Sequence, residues 1–163
     1  MSENFFLDNP DLQFRLEQLD LREVVDLRED HYAGSKVYPT APRNYADAKD
    51  SYRIVLDVLG EVCGERVAPR AAEADEEGAH YESGEVTYAA ATRDAIEALR
   101  QAELFGAMLS REYGGLNLPL VVWQFWGRAA EASWTEKSRT LFLLLAANSV
   151  RFEISPPICP ASS

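Results

Sequence analysis

The sequence predicts an all-α fold, an orthogonal or up-down bundle of four to six helices with a small irregular lobe near residues 78–90. Apolar residues recur every three or four positions over most of the chain, which is the spacing of amphipathic helices. Strand-like alternation is confined to one short segment around Ser83 and Gly84. The 163 residues, 47% of them hydrophobic and 26% charged, suffice for one domain with a buried core.

Residues 1–44 are predicted to form an N-terminal helical extension. Asn9 is a suitable N-cap, Pro10 fits the first helical position, and Asp11 lies near the positive end of the helix dipole. The predicted apolar face comprises Leu12, Leu16 and Leu19, and the predicted solvent-facing carboxylates are Asp20, Glu23, Asp26, Glu29 and Asp30. We interpret this helix as lying on its own domain. The alternative, a docking or membrane-surface element, is disfavoured because anionic lipids repel an acidic helix.

Residues 45–75 show the clearest helical pattern. The predicted stripe comprises Tyr52, Val55, Leu56, Leu59, Val62, Cys63 and Arg66. Gly60 and Gly64 form a GxxxG pattern, which we interpret as permitting the close approach of a neighbouring helix. Pro69 predicts a kink or an end of the helix.

The segment between residues 74 and 88 is predicted to be irregular. Its first part, Ala74 to Gly78, is interpreted as a solvated acidic loop, because the oxygen spacing of a calcium loop is missing. The stretch from His80 to Tyr88 alternates around a Ser-Gly pair, which predicts a small hairpin or irregular lobe. His31 and His80 lack partners at metal-ligand spacing, so both are interpreted as exposed structural histidines.

A helix is predicted over residues 92–105. Thr92 is the predicted N-cap and Asp94 lies in the first turn. The predicted buried side comprises Ala95, Ile96, Leu99, Ala102 and Leu104.

The glycine corner, residues Gly106–Pro119, is the feature around which the rest of the chain is arranged. Tyr113, Gly114 and Gly115 predict a sharp turn, since glycine adopts positive φ without steric cost. Pro119 fits the first turn of a following helix over residues 119–133. A buried helix–loop–helix corner is therefore predicted, with Tyr113, Gly114, Gly115 and Pro119 as its structural motif.

Four segments occur in a recognisable order along the chain: Val67–Asp75, Leu99 to Gly106, Leu109–Pro119 and Ala130–Ser133. This order resembles the N-terminal α-helical domain of the acyl-CoA dehydrogenase family. The resemblance covers about residues 45–133, and Ser110 stands where the family usually carries proline.

The resemblance implies oxidation of the Cα–Cβ bond of an acyl-CoA thioester. In that family a carboxylate removes the α-proton, hydride passes from the β-carbon to FAD, and an electron-transfer flavoprotein usually takes the electrons. FAD lies between a middle β domain and a C-terminal helical domain, which carries the catalytic glutamate. The N-terminal domain mainly supplies wall and packing for the acyl pocket. No catalytic, cofactor-binding or metal-binding residue is therefore assigned here, and we expect this chain alone to be inactive and not to bind FAD.

Residues 134–163 depart from the family pattern and are expected to form a divergent, partly disordered tail. They contain two acidic and three basic residues, which leaves 25 acidic and 13 basic residues in positions 1–133. Our hypothesis is that the reading frame shifts or is cut between Phe125 and Ser133. The apolar run Leu141–Ala147 is predicted to form one more helix covering the open side of the bundle.

Composition limits the partners and the setting. A formal charge of −11 argues against nucleic acid as a ligand. The longest strongly apolar run is too short for a membrane span. Two distant cysteines, Cys63 and Cys159, predict a reduced, cytoplasmic setting. A homo-oligomer is compatible with this composition.

Two further functional interpretations stay open beside the dehydrogenase fragment. One is a stand-alone acidic helical protein-interaction module. The other is a small ligand-binding protein that uses the aromatic surface of Trp123, Phe125 and Trp126.

Overall fold

Six α-helices account for most of residues 3–133, the part of the chain that this computed structural model describes; the side chains of Trp126 and residues 128–133 are outside that description. The helices are α1 (Pro10–Gln18), α2 (Arg22–Arg28), α3 (Tyr45–Val62), α4 (Ala71–Glu77), α5 (Ala90–Gln101) and α6 (Leu120–Ser133). Two short strands, β1 (His80–Glu82) and β2 (Glu85–Thr87), pair antiparallel. The predicted all-α class is confirmed.

The stretch that the sequence predicts to be one amphipathic helix forms two helices, α1 and α2. Asn9 caps α1 as predicted, because its side chain accepts a hydrogen bond from the Leu12 backbone N–H. Since α1 ends at Gln18, Leu19 is exposed, whereas Leu21 and Val25 turn inward with α2. The prediction that Leu19 belongs to the buried face is therefore wrong.

Helix α3 is the central element and contacts α2, α5 and α6. Asn44 caps it by accepting from the Asp47 N–H at 3.0 Å. A π-helical turn, Cys63–Val67, and a 3₁₀ turn, Ala68–Arg70, then lead into α4. Because the π turn holds more residues per turn than an α-helix, the buried position falls on Val67 rather than Arg66. The break at Pro69 is confirmed, and the placement of Arg66 on the buried stripe is wrong.

The N-terminal segment packs against Gly60 of α3 and Gly64 of the π-helical turn that follows it. Phe5 donates its backbone N–H to the Gly60 carbonyl at 3.2 Å, and the Asn4 side chain donates to the Asp57 carboxylate at 2.7 Å. A Cβ on Gly64 would collide with the Glu3 carbonyl. The GxxxG pattern thus permits a close approach, but of the turn that precedes α1 and not of a helix.

Two element boundaries between α3 and α5 differ from prediction. Residues 74–77 belong to α4, so the predicted acidic loop is helical up to Glu77. Helix α5 begins at Ala90, which leaves Thr92 buried inside the first turn and not at the N-cap. The capping group comes from the preceding helix, since the Glu77 carboxylate accepts from the Ala90 N–H at 3.1 Å.

The predicted hairpin is confirmed. Strands β1 and β2 pair His80 with Thr87, Tyr81 with Val86 and Glu82 with Glu85. Ser83 and Gly84 both have positive φ, 53° and 90°, which is the geometry of a two-residue type I′ turn. Every residue of both strands is exposed, so the lobe contributes nothing to the core.

One hydrophobic core joins the N-terminal helices to the rest of the described chain. Its largest fully buried side chains are Tyr52, Phe6, Leu16, Leu56, Leu59, Leu104, Val25, Val122 and Cys63. Helices α1, α2, α3 and α6 therefore all contribute side chains to the same core. Within residues 3–133 no helix combines the length and the apolar character needed to cross a bilayer.

Candidate functional site

The glycine corner is built from tight turns and not from helix. Gly114 has φ of 81° and ends a 3₁₀ turn, Arg111–Tyr113, while the Gly115 N–H donates to the Ser110 carbonyl at 3.2 Å. A Cβ on Gly115 would collide with the Leu109 carbonyl, so no larger residue fits there without a backbone shift. The two glycines therefore serve different needs: one a left-handed turn, the other a close approach of two chain segments.

The two sides of the corner are joined by backbone hydrogen bonds. The Asn117 N–H donates to the Leu109 carbonyl at 2.8 Å, and the Leu118 N–H donates to the Ala107 carbonyl at 2.9 Å. Asn117 is itself left-handed, with φ of 59°. The corner is thus a closed loop held by its own main chain before any side chain is considered.

Helix α2 is fastened to this loop at its C-terminal end. The Asn117 side chain donates to the Arg28 carbonyl at 2.8 Å. In return, the Arg28 guanidinium donates to the Met108 carbonyl at 2.7 Å and to the Asn117 carbonyl at 3.3 Å. The Arg28 and Asn117 side chains therefore donate to main-chain carbonyls of residues 80 or more positions away.

Beside these bonds lies a buried ion pair. Arg111 donates through both terminal nitrogens to the Glu29 carboxylate, in a two-pronged contact. The Glu29 side chain is 2% exposed and that of Arg111 is 9% exposed. Arg111 also donates to the Leu116 carbonyl at 3.0 Å. The prediction that Glu29 faces solvent is wrong, because its cation arrives from a position 82 residues later.

The buried hydroxyl of Tyr52 belongs to the same cluster. Burial raises the pKa of the Tyr52 phenol well above its ordinary value, and the nearby Glu29 carboxylate raises it further. Within the described chain, neither the Tyr52 hydroxyl nor Arg111 Nε has a hydrogen-bond partner. The phenol therefore stays neutral at any physiological pH and cannot act as a proton donor of ordinary acidity.

The four predicted motif residues lie in distinct environments. Tyr113 is 71% exposed at the tip of the corner, and Gly114 is exposed beside it. Gly115 and Pro119 are buried. Pro119 immediately precedes α6, and its carbonyl accepts the first helical hydrogen bonds, from the N–H groups of Val122 and Trp123.

An apolar groove opens between the corner, α2 and the start of α6. We call it the α2–α6 groove; it has a volume of about 430 Å³ and is lined by Val24, Leu27, Arg28, Met108, Leu118, Pro119 and Leu120. Leu27 is 69% exposed and Leu120 is 61% exposed, although both are large apolar side chains. Neighbouring exposed apolar residues around a concave surface are typical of a contact site.

The aromatic residues at the start of α6 only partly form the surface that one interpretation requires. Phe125 is 7% exposed and belongs to the core, and Trp123 packs against that core while partly exposed. The Trp126 side chain lies outside the described residues. Phe125 therefore serves packing and not ligand contact.

The two histidines are both exposed. His31 Nδ1 lies 2.6 Å from the Asp26 carboxylate, at the end of α2. Among the described residues, no group of three or more His, Cys, Asp or Glu side chains is placed to hold a metal ion.

No family model, curated protein or solved structure matches this chain. Sequence reasoning found the corner but missed the Glu29–Arg111 pair inside it. The available signal was Arg111 itself, the one cation in the sequence of the glycine corner.

Proposed function

We propose that residues 45–133 act as the N-terminal helical domain of a flavoprotein similar to acyl-CoA dehydrogenases. In this role the domain supplies wall and packing, while other domains carry FAD and the base that removes the α-proton. The chain by itself is then inactive in oxidising the Cα–Cβ bond of an acyl-CoA thioester, and acyl-CoA and an electron-transfer flavoprotein are partners of the complete protein.

The observation that carries this proposal is the construction of the glycine corner. The stretch that resembles the family, Leu109–Pro119, is a closed loop fastened to α2 and bordered by an apolar groove. A rigid backbone with an apolar surface beside it suits a domain that forms a wall for another part of a protein. The exposed Tyr113 at the tip adds an aromatic contact residue of the kind enriched at interfaces.

The charged groups of the corner are engaged in holding it together. A general base needs a carboxylate free to reach substrate in a dry pocket. Both Glu29 oxygens already accept from Arg111, so this buried carboxylate is committed to structure. This arrangement favours a structural role for the Glu29–Arg111 pair and not a catalytic one.

The groove does not fit FAD. Its wall is apolar apart from Arg28, and the Arg28 donors already serve the Met108 and Asn117 carbonyls. A dinucleotide also needs donors for its pyrophosphate, such as backbone N–H groups at a helix N-terminus. At the first turn of α6, beside the groove, the Val122 and Trp123 N–H groups already donate to the Pro119 carbonyl. The groove residues therefore supply no group that would hold or react with a flavin.

The purified full chain tests the proposal directly. We expect a desalted sample without flavin absorbance and without acyl-CoA desaturation in the presence of an artificial electron acceptor. A yellow sample that desaturates a thioester would overturn the proposal.

The nucleotide sequence that follows the codon for Ser133 provides an independent test. Read in all three frames, it is expected to encode a β-rich domain in one of them. If no frame encodes such a domain, the dehydrogenase proposal fails, and the alternative function as an interaction module is favoured.

The second candidate function is an acidic helical interaction module. It is favoured by the exposed apolar residues Val24, Leu27 and Leu120, which lie together on a domain of high negative charge. A monodisperse chain that binds one defined partner through this groove would support it. Partner binding that persists in Leu27→Lys would contradict it.

A further inference from the structure

The α2–α6 groove lies at the N-terminal end of the last described helix. Leu120, the first residue of α6, forms one wall, and Val24 and Leu27 of α2 form the opposite wall. All three side chains are large, apolar and at least 47% exposed. The groove therefore has an apolar lining that no other described residue covers.

We propose that the apolar run Leu141–Ala147 of the same chain occupies this groove. The run has the sequence Leu-Phe-Leu-Leu-Leu-Ala-Ala and contains no charged residue. This inference goes beyond the proposed function and does not depend on it.

The length of the intervening chain fits this occupant. Helix α6 has 14 residues, so its axis carries the chain roughly 20 Å away from the groove by Ser133. Residues 134–140 separate Ser133 from the run. An extended segment of this length spans at most about 25 Å, which is enough to return along α6 to its first turn. A much shorter spacer could not place Leu141 at the groove.

Charge favours the same occupant over the alternatives. Positions 1–133 hold 25 acidic and 13 basic residues, whereas positions 134–163 hold two acidic and three basic residues. The spacer holds Glu136, Lys137 and Arg139, so it carries one net positive charge, opposite in sign to the net charge of positions 1–133. A second copy would bring two strongly acidic bodies together, and an anionic lipid surface would be repelled in the same way.

Covalent connection strengthens this contact. Because the run and the groove belong to one chain, a short spacer gives an effective concentration in the millimolar range. A modest apolar contact that would be negligible between separate molecules can therefore be well populated within one molecule.

Hydrogen exchange measured by mass spectrometry on the full chain tests the proposal. The amides of residues 141–147 are expected to exchange at least about tenfold more slowly than an unprotected peptide. Leu27→Lys combined with Leu120→Lys should abolish this protection and raise the fluorescence of an added apolar dye. Both substituted side chains are exposed, so the fold should persist, which circular dichroism checks.

A matched control is Ile54→Lys, which replaces another exposed apolar residue on α3 outside the groove. It should leave the exchange of residues 141–147 unchanged. A complementary variant, Leu143→Asp with Leu144→Asp, should leave the unmodified apolar groove uncovered and should also raise the dye fluorescence.

Three results would overturn the inference. The first is unprotected exchange of residues 141–147 in the unmodified chain. The second is an equal loss of protection in Ile54→Lys. The third is protection that disappears on dilution, which would identify a second copy as the occupant. None of these measurements reports on flavin, so failure here is separable from failure of the proposed function.

Discussion

Glu29 and Arg111 show how strongly one pair of residues determines the local structure of the corner. The carboxylate is nearly inaccessible to solvent, and the guanidinium satisfies it while also holding the Leu116 carbonyl. Removing two charges from water costs several kcal/mol per ion, and only close, well-directed contacts offset that cost. We therefore expect the pair to contribute more to the specific docking of α2 on the corner than to net stability.

Arg111→Met is expected to destabilise the protein by about 3–5 kcal/mol, because it leaves the Glu29 carboxylate buried without its cation. Glu29→Met combined with Arg111→Met should recover most of this loss, since no buried charge then remains. Urea unfolding followed by circular dichroism measures both changes.

The exposed pair of Glu97 with Arg100 provides the control for this prediction. Arg100→Met removes an arginine from the surface of α5 and should change stability far less than Arg111→Met does, because solvent screens the surface pair. Equal effects of Arg100→Met and Arg111→Met would show that the Glu29–Arg111 pair is effectively solvated.

At the scale of elements, the N-terminal segment packs closely on Gly60 of α3 and on Gly64 of the following π-helical turn. It can do so because neither residue has a side chain. The segment carries Phe6, which is 1% exposed, into the core. Fully burying a phenylalanine side chain is worth about 1.5–3 kcal/mol. The glycine pair therefore stabilises the domain indirectly, by leaving room for Phe6 to reach its site.

Gly64→Ala is expected to destabilise the full chain by about 1.5–3 kcal/mol, because the added methyl group displaces Glu3 and with it Phe6. In a chain that lacks residues 1–6, the same substitution should become neutral or stabilising, since alanine is the better helix former. Chemical unfolding of the four proteins forms a double-mutant cycle. If Gly64→Ala destabilises the full chain and the chain without residues 1–6 equally, the added methyl group does not clash with Glu3.

Helix α5 depends on a cap supplied by α4. The Glu77 carboxylate accepts from the Ala90 N–H, and the hairpin between the two helices brings these positions together. Glu77→Ala should cost about 0.5–2 kcal/mol, the usual range for losing an N-terminal cap. Glu76→Ala, the adjacent exposed position on α4, should change stability by less than about 0.5 kcal/mol. Thermal unfolding compares the two, and equal effects would contradict the capping role.

These elements also show which features the sequence could predict. The Asn9 cap, the Ser83–Gly84 hairpin and the turn at Gly114 depend on local backbone chemistry, and local residues predicted them. The Glu77 cap and the Glu29–Arg111 pair join distant positions, so no spacing rule could reveal them. Helix α1 ends at Gln18, and the chain then turns so that Leu21 and Val25 pack in the core. This tertiary packing overrides the helical periodicity of the sequence.

At the scale of the whole molecule, surface charge sets the response to acid. Three surface carboxylates have a lowered pKa because an arginine side chain donates hydrogen bonds to each of them: Asp47 beside Arg43, Glu73 beside Arg70 and Glu97 beside Arg100. The largest shift lowers the pKa of Glu97 from 4.5 to about 2. A lowered folded-state pKa stabilises the native protein above the unfolded-state pKa, and this contribution is lost as pH falls towards the folded-state pKa.

Glu97→Gln should therefore make the fall in stability between about pH 4.5 and pH 2 shallower than in the unmodified chain. Repulsion within a chain of net charge −11 also changes over this range, but it acts on both proteins and cancels in their difference. Urea midpoints at several pH values give that difference, with Glu85→Gln in the exposed hairpin as control. Because the group is solvent-exposed, the difference should also shrink in high salt, through screening of the Arg100 contact. If the stability difference between Glu97→Gln and the unmodified chain is the same at pH 7 and pH 2, Arg100 does not lower the pKa of Glu97.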